Sequence, residues 1–571
     1  MIQTLRDGSK NIKGLFFKTT MNWRDFFKHP YQLFWIALAY IPWLWCYQIP
    51  LTGDQKTYLA VAHEMSERGS YLLPYLFGET NYLKPPFQYW MTILSWKIFG
   101  MNWFGSLFPS VLALLGTSYV LSEIASLLGG RRWYVSAGLW FAASLGAFSY
   151  AQAAQMDIWI CFVMSLAWWM CLLFMSASEA ERKTGHLVAG FIFAGLLAWI
   201  KSPLYSVFFG MSFFLYILSS GEWLLLREKR IFYSIVVGVA VASAWYVVAG
   251  FLDFDRLWQQ YFIQEQFKKG SNSITLSKMW WAVVYQSFPF ALLVLVSLRA
   301  IIQGRRTSAV WRFALCWIIP PALFFSLFPY KNTLYLFILV PALAILADWA
   351  LFRAFLTRTY RWSARITGGI VCVLFCGAGL FAFRLGLFNF GLFSLAILAG
   401  GFAWLGLWFG RHRVFLMSVI GFYLIARLGS IEAVRPEVES LILAVKNARV
   451  AQQNEGIQGS MLDEGRDMFH DIGLVQIHLG KGLVRLTDLD GMTDHLDQGG
   501  YVILDEEQYQ RFGSTLERIF EERGKMISSF PWKRFKARKN LPVGDILRHG
   551  PEYLKSEENS ILRTYAILVA K

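Results

Sequence analysis

The sequence has little charge. Only 16% of its 571 residues are Asp, Glu, Lys or Arg, and 56% are hydrophobic, whereas soluble globular proteins have about 25% charged residues. The shortage is confined to residues 1–427, which hold 35 basic but only 16 acidic side chains, while residues 428–571 hold 19 and 22. This distribution excludes a soluble enzyme, a fibrous protein and a disordered chain. It indicates a polytopic membrane protein followed by a soluble domain.

Cysteine is scarce as well, and none lies in the charged last quarter or in a long polar loop. The six cysteines all fall in apolar segments: Cys46, Cys161, Cys171, Cys316, Cys372 and Cys376. This placement excludes a disulfide framework and a thiolate metal site. The basic residues lie between apolar runs, which is typical of membrane topology signals. No nucleic acid partner is therefore expected.

The apolar runs predict about 13 membrane spans, since a span needs about 20 such residues. They lie near 33–50, 104–128, 133–150, 157–178, 187–200, 203–226, 231–251, 280–299, 309–328, 332–352, 366–383, 391–409 and 414–429. The first 30 residues are polar and basic without a cleavage-like site, so the first run is predicted to be retained. With a cytoplasmic N-terminus, every second short loop is basic, as the positive-inside rule requires. An odd number of spans then places the tail on the far side, the periplasm in a bacterium.

Two loops on this predicted far side are long, 50–103 and 252–279. In the first, Lys56–Gly69 has the pattern of an amphipathic helix. Pro86–Gly100 is apolar and rich in Trp but too short to cross the bilayer, which favours a position at the membrane interface. The membrane domain is predicted to cover residues 1–429.

The tail, residues 430–571, is predicted to be a small periplasmic α/β domain. Candidate strands are Gly482–Thr487, Tyr501–Leu504 and Thr564–Ala570, and candidate helices are Pro436–Arg449 and Glu506–Arg523. The basic run Trp532–Lys539 is either a solvated face or a contact with anionic lipid head groups. The tail has neither a Gly-rich phosphate loop nor the spacing of a metal site.

Two aspartates are candidate catalytic residues, Asp54 and Asp157. An ionisable group at membrane depth costs several kcal/mol and is by default a functional-site hypothesis. Asp157 heads a predicted span with no other charge nearby, and Asp54 directly follows the first span. Each has a structural alternative. Asp157 can be a helix-start carboxylate favoured by the helix dipole, and Asp54 can be the N-cap of the next helix.

Basic residues on the predicted far side are the second feature, because the positive-inside rule disfavours them there. They are Lys84, Lys201, Lys268, Lys269 and Lys331. A single loop lysine is usually solvated, but several at the mouths of different spans suit an anionic ligand such as a lipid phosphate. Tyr82 and Tyr335 flank these lysines and either donate hydrogen bonds to the ligand or belong to an aromatic belt.

Four motifs in order resemble a known family. They are GDQKTYLAVAHEM after the first span, PYLFGETNYLKPPFQYW, QAAQMDIWI and FSLFPYKNTLYLFILVPALA. This order is similar to that of the GT-C superfamily of polyprenyl-phosphate-dependent glycosyltransferases, in particular the bacterial aminoarabinose transferase and protein O-mannosyltransferase-like group. The residues that match the pattern of that group are Asp54, Tyr82, Lys84, Pro85, Pro86, Asp157, Lys331, Tyr335 and Pro341.

The resemblance implies an inverting membrane glycosyltransferase with about 13 transmembrane helices and a C-terminal α/β domain. The implied donor is a sugar on undecaprenyl phosphate, and the implied acceptor is an envelope molecule such as lipid A or lipopolysaccharide, on the periplasmic face of the bacterial inner membrane. Asp54 is the first choice for the general base and Asp157 the second. Lys84, with Lys201 or Lys331, is expected to neutralise the leaving phosphate. A monomer among membrane lipids is expected.

The sequence departs from the aminoarabinose transferases at two positions. Leu83 stands where they carry Glu before the Lys-Pro pair, and Gln55 where they usually carry Glu after Asp. The missing Glu at position 83 weakens a metal role, so no cofactor is expected; a divalent metal is the alternative. The same change leaves the identity of the sugar open. A protein O-glycosyltransferase and a non-enzymatic glycolipid transporter or assembly protein remain alternatives, although a transporter is expected to show internal repeats.

Overall fold

The computed structural model describes residues 30–45, 53–129, 137–267, 274–291, 294, 309–328, 332–356, 358–384, 387–451, 459–462, 483–486, 489–498, 501–537 and 560–570. Helices dominate the membrane domain. In chain order the α-helices are α1 (Pro30–Tyr40), α2 (Gly53–Arg68), α3 (Phe87–Phe99), α4 (Trp103–Gly129), α5 (Ala137–Ala142), α6 (Leu145–Ala151), α7 (Met156–Ser176), α8 (Thr184–Ile200), α9 (Pro203–Ser220), α10 (Lys229–Leu257), α11 (Leu276–Gln286), α12 (Ala309–Leu327), α13 (Val340–Leu356), α14 (Arg358–Arg384), α15 (Phe390–Trp408), α16 (His412–Ala451), α17 (Leu489–Asp497) and α18 (Glu506–Glu522).

Eight of these helices contain a stretch long and apolar enough to cross a membrane. They are α4, α7, α9, α10, α12, α14, α15 and α16, and all eight coincide with predicted spans. The chain is therefore a multi-pass membrane protein. Two shorter apolar helices, Thr184–Ile200 and Tyr335–Trp349, fall on the predicted spans 187–200 and 332–352.

The other three predicted spans, at 33–50, 133–150 and 280–299, are only partly within the described residues. Each corresponds to short or interrupted helices there. The second is divided into α5 and α6 at Ser144, whose hydroxyl accepts the N–H of Ala147 and begins a new helix. Thirteen spans therefore stay a prediction.

Helix α7 lies at the centre of the membrane domain, between α4 and α8, and 72% of its apolar stretch is buried. After Asp157 in its first turn it carries no further charge, so its sides can pack against other helices all round. Helix α8 packs in turn on α10 and α9. The junction of α8 and α9 is sharp because Ser202 caps α9 and Pro203 occupies its first position. This junction positions Lys201.

The first predicted far-side loop is structured. Helix α2 confirms the predicted amphipathic helix, and the side chains expected on its apolar face are buried: Tyr58, Leu59, Val61, Ala62 and Met65. A hairpin of β1 (Tyr75–Leu76) and β2 (Glu79–Thr80) follows. Helix α3 then confirms the predicted short Trp-rich helix, and its Leu94 and Ile98 are exposed. Exposed apolar side chains suit a helix at the membrane interface.

The second predicted far-side loop is also structured in its first part, where residues 252–267 continue the helix that precedes them. Helix α10 runs to Leu257, with a kink at Asp253, whose backbone leaves the helical region (φ −159°, ψ 75°). A π-helical segment, Trp258–Phe267, follows directly. The sequence becomes polar at Asp253, so the polarity that suggested a loop marks where this helix ceases to be apolar.

The tail contains a mixed five-stranded sheet. Its strands are β3 (Gly459–Leu462), β4 (Leu483–Leu486), β5 (Tyr501–Asp505), β6 (Ile527–Ala537) and β7 (Ser560–Ala570), in the order β4-β3-β5-β7-β6. β3 is parallel to β4 and β5, and β7 is antiparallel to β5 and β6. Helices α17 and α18 cover the sheet with buried Leu496 and Phe520. The predicted α/β class is thus confirmed, and helix α16 runs without a break across the predicted boundary at 429/430.

Candidate active site

The hairpin in the first far-side segment is held by Glu64 of α2. Its turn places Phe77 (φ 56°) and Gly78 (φ 83°) in the left-handed region, which a two-residue hairpin turn of this kind requires. Oε1 of Glu64 accepts the N–H of Phe77 at 2.6 Å, and Oε2 accepts that of Gly78 at 3.1 Å. Burial raises the pKa of Glu64, against the opposing effect of these two hydrogen bonds. Glu64 is therefore a structural carboxylate that fixes the turn.

The hairpin is docked on the π-helical segment. Gln260 accepts the N–H of Tyr82 at 2.7 Å and donates to the carbonyl of Thr80 at 3.2 Å. Arg256 adds an ion pair with Glu79 at 2.9 Å. The two far-side segments predicted from the sequence are thus joined through the backbone just before Lys84, and this joint sets the position of that lysine.

Tyr82 packs in an aromatic cluster instead of lining a polar cavity. It is fully buried and lies against Trp245 of α10, with a ring-centroid distance of 6.5 Å. Tyr261 of the π-helical segment belongs to the same cluster. The prediction that Tyr82 donates to the ligand is untested, and its packing gives it a clear role in docking the first segment.

Lys84 forms an ion pair with Glu265, near the end of the π-helical segment. The two side chains are only 15% and 11% exposed. Pro85 and Pro86 follow Lys84 directly, so its backbone is restricted on one side, while the docked hairpin restricts the other. A cation with limited freedom is a suitable contact for an anionic ligand.

Lys201 forms a second ion pair, with Asp157. The distance from Nζ to Oδ1 is 2.7 Å, and the side chains are 10% and 5% exposed. The ammonium group also lies 5.6 Å from the centre of the Tyr335 ring, within the range of a cation–π interaction. Three candidate residues from separate parts of the sequence thus meet at one place: Lys201, Asp157 and Tyr335.

Asp54 is exposed and lies in the first turn of α2. The structural alternative, an N-cap, does not hold, because the helix already includes Gly53 before Asp54. An acid in the first turn still gains from the helix dipole, by about 0.3–1 kcal/mol. Its exposure leaves it accessible to a substrate.

The two ion pairs and Asp54 belong to one site. Burial and the charges of Asp54, Asp157 and Glu265 raise the pKa of Tyr58 well above its usual range. The charge of Asp54 also acts on Lys201. The ring of Tyr58 lies 6.2 Å from that of Tyr89 on α3. The candidate site therefore comprises charged groups near the starts of α2 and α7 and on the π-helical segment.

Three of the predicted lysines cannot be placed. Lys268, Lys269 and Lys331 lie outside the described residues. Sequence reasoning did not select Glu265 or Gln260 for the site. Both residues lie in a polar stretch, where a carboxylate or an amide is ordinary. Neither therefore carried a distinguishing signal.

A metal finds little support among the described residues, where no group of three or more His, Cys, Asp or Glu side chains could hold one. Two of the three site carboxylates, Asp157 and Glu265, already face lysines. A divalent cation would have to displace both ammonium groups to use them.

Residues 83–247 match the family described as dolichyl-phosphate-mannose-protein mannosyltransferase. The matched region contains Lys84, Asp157 and Lys201. It lacks Asp54 and Glu265, which precede and follow it.

The curated relatives are named as arabinosyl transferases that use undecaprenyl phosphate. Undecaprenyl phosphate-alpha-4-amino-4-deoxy-L-arabinose arabinosyl transferase of Photorhabdus laumondii is 23% identical over 338 residues, covering 53% of this chain and 56% of the relative. The enzyme of that name from Serratia proteamaculans is 25% identical over 377 residues, covering 60% and 64%. The chain thus spans a little over half the length of the curated relatives that it matches.

The fold has a close counterpart among solved structures. The crystal structure of ArnT from Cupriavidus metallidurans bound to undecaprenyl phosphate superposes with a TM-score of 0.72, covering 95% of this chain and 98% of that one, at 18% identity. The apo form of the same protein gives a TM-score of 0.67. The family match, the curated relatives and this fold together confirm the resemblance predicted from the sequence, to the GT-C glycosyltransferases that use polyprenyl-phosphate donors.

Proposed function

We propose that this protein is an inverting membrane glycosyltransferase that moves a sugar from undecaprenyl phosphate to an envelope acceptor. Lipid A or lipopolysaccharide is the preferred acceptor, on the periplasmic face of a bacterial inner membrane. The names of the curated relatives support the donor class, as does the undecaprenyl phosphate bound in the crystal structure of ArnT. The tail is proposed to lie in the periplasm and the protein to act as a monomer.

The observation that carries this proposal is the pair of lysines, Lys84 and Lys201, each held in a largely buried ion pair. The leaving group of the reaction is a polyprenyl phosphate, which gains negative charge as its bond to the sugar breaks. Fixed cations at that point stabilise the transition state more than the ground state. Lys84 and Lys201 are fixed by different segments and are both largely shielded from water, where such interactions are strongest.

The roles of the two aspartates differ in this proposal. Where the acceptor group is a hydroxyl, Asp54 takes its proton; the acceptor oxygen, of a hydroxyl or a phosphate, attacks the anomeric carbon as the bond from that carbon to the donor phosphate oxygen breaks. One displacement inverts the anomeric centre and needs no enzyme nucleophile. Asp157 holds Lys201 in place and is a positioning residue. Asp157 is thereby the weaker candidate for the base, because its Oδ1 already accepts from an ammonium group at 2.7 Å.

The sugar is open. Leu83 and Gln55 stand where aminoarabinose transferases carry Glu, so a hexose, a uronic acid or another sugar fits the site residues as well. A protein O-glycosyltransferase is the second candidate, and the match of residues 83–247 to a protein mannosyltransferase family favours it. A non-enzymatic glycolipid transporter is the third.

Transfer from a labelled undecaprenyl-phosphate sugar to lipid A, or to envelope protein, separates these candidates. Lys84→Ala is expected to abolish transfer while the protein still purifies as a monodisperse species, and Lys84→Arg to keep part of it, because its charge remains but its geometry differs. Lys97→Ala is a matched control, since Lys97 lies on α3 against the ring of Tyr71, away from the ion pairs. Normal transfer by Lys84→Ala would contradict the assigned role, and transport without transfer would favour the third candidate.

A further inference from the structure

Lys84 already has an anionic partner in the protein. The ion pair with Glu265 is largely shielded from water, and an incoming phosphate would meet an ammonium group whose charge is compensated. Removing one partner of such a pair leaves a buried charge and is costly. A phosphate that meets the full charge of Lys84 takes the place of the Glu265 carboxylate, which then moves elsewhere.

The backbone around Glu265 is suited to such an exchange. Glu265 lies on the π-helical segment Trp258–Phe267, which follows the kink at Asp253. π-Helical turns are rare and often mark functional sites. The segment is anchored to the hairpin through Gln260, and Glu265 lies five residues beyond this anchor, more than one helical turn away.

The other ion pair is built differently. Asp157 lies in the first turn of α7, the central and mostly buried helix, and its side chain is one methylene shorter than that of Glu. Asp157 is thus a fixed partner of Lys201. The two pairs combine one rigid carboxylate with one that is carried on an irregular segment.

We propose that Glu265 is an exchangeable counter-ion that occupies Lys84 until the phosphate of a polyprenyl-phosphate lipid replaces it. This inference rests on the proposed function. The exchange breaks one ion pair and forms another, with no covalent step. When the carboxylate returns to Lys84 it displaces the carrier phosphate after transfer. The carrier phosphate that remains after transfer is a monoester with a charge of about −1.5 to −2. The donor is a diester with a single charge, so the carrier binds a lysine more strongly than the donor does. A competing carboxylate prevents the lysine from retaining it.

The test measures the affinity of the purified full chain for undecaprenyl phosphate. Glu265→Gln keeps the size of the side chain and removes its charge, so the dissociation constant is expected to fall by roughly 3- to 30-fold, the loss of one charged competitor. Asp255→Asn is the matched control, because this exposed acid lies on the preceding helical turns; it is expected to leave the constant unchanged. In the Lys84→Ala background, Glu265→Gln is expected to have no further effect.

Turnover gives a second readout. Glu265→Gln is expected to lower multiple-turnover rates through slow product release, while a single turnover stays near the wild-type rate. Unchanged or weaker binding of undecaprenyl phosphate by Glu265→Gln would overturn the proposal and make Glu265 a structural partner. Equal binding by wild type and Lys84→Ala would instead overturn the role of Lys84 in the proposed function. If Glu265→Gln does not purify, Glu265→Asp keeps the charge but shortens the reach; tighter binding supports the exchange, and unchanged or weaker binding overturns it.

Discussion

Nζ of Lys201 lies 2.7 Å from Oδ1 of Asp157, although the two residues are 44 positions apart in the sequence. One begins the central helix α7 and the other follows the last turn of α8. Sequence patterns alone assigned Asp157 to catalysis and Lys201 to phosphate binding. Their contact shows that neither acts alone, since a change in one alters the charge and position of the other.

Asp157→Asn is expected to lower both stability and transfer. It leaves the buried ammonium of Lys201 without its carboxylate, a change that typically costs about 3–5 kcal/mol. Asp157→Asn combined with Lys201→Met removes both charges and is expected to recover most of the thermal stability but not the transfer activity. Thermal unfolding in detergent measures the stability, and the transfer assay measures the activity. An active double variant would make the pair purely structural.

Gln260→Ala is expected to weaken binding of undecaprenyl phosphate without disturbing the membrane helices. It removes two hydrogen bonds to the hairpin backbone, each worth about 1 kcal/mol, and frees the segment that carries Lys84. We expect a dissociation constant roughly tenfold higher and faster amide exchange in residues 79–84. Arg256→Ala, which removes a more exposed contact of the same hairpin, is expected to have a smaller effect. Wild-type exchange in Gln260→Ala would show that the aromatic cluster around Tyr82 docks the hairpin by itself.

The sequence predicted the membrane domain well because apolar length and loop charge are local signals. The eight long apolar helices, helix α2 with its buried face and the short helix α3 all follow from periodicity and composition. The kink at Asp253 was missed, since a helix that turns polar has the same composition as a loop. In the tail, β3 and β6 were missed. Strand β6 contains residues 532–537 of the basic run that suggested a solvated face, and only its pairing with β7 reveals a strand.

The sequence selected Lys84, Asp157 and Lys201 as candidates but did not predict the ion pairs that Lys84 and Lys201 form. Asp157 and Lys201 each stood out because a charge beside an apolar run is rare. Glu265 and Gln260 lie in a polar stretch where charge and amide groups are ordinary, so composition gives them no distinction. Their roles arise from the docking of the two far-side segments, which is a tertiary contact between residues more than 170 positions apart.

The tail offers a test of its own through Asp497. This carboxylate accepts from Lys525 at 2.8 Å and pairs with Arg523, and the hydrogen bond from Lys525 is the main cause that lowers its pKa. Because the folded pKa lies below the unfolded one, about 3.9, the stabilisation is complete above that value and is lost as the pH falls through the folded pKa.

Asp497→Asn is therefore expected to speed amide exchange in α17 and β6 at pH 7. The pair is partly exposed, so the difference from wild type should not exceed about 1 kcal/mol. The difference should shrink once the pH falls below about 4, and comparing the two proteins at each pH cancels the intrinsic pH dependence of exchange. A difference that stays constant down to pH 3 would mean that packing, not charge, is what the substitution disturbs.

Asp54→Asn tests the base directly. The exposed carboxylate lies in the first turn of α2, so its replacement by Asn keeps the size and removes only the charge, which costs about 0.3–1 kcal/mol of helix-dipole stabilisation. Loss of a general base lowers the rate by about 10²–10⁴-fold. We therefore expect a folded variant that binds undecaprenyl phosphate like wild type and transfers almost no sugar. Glu67→Gln, at the other end of the same helix, is the control and is expected to transfer normally. Transfer by Asp54→Asn at the wild-type rate would show that Asp54 is not the base.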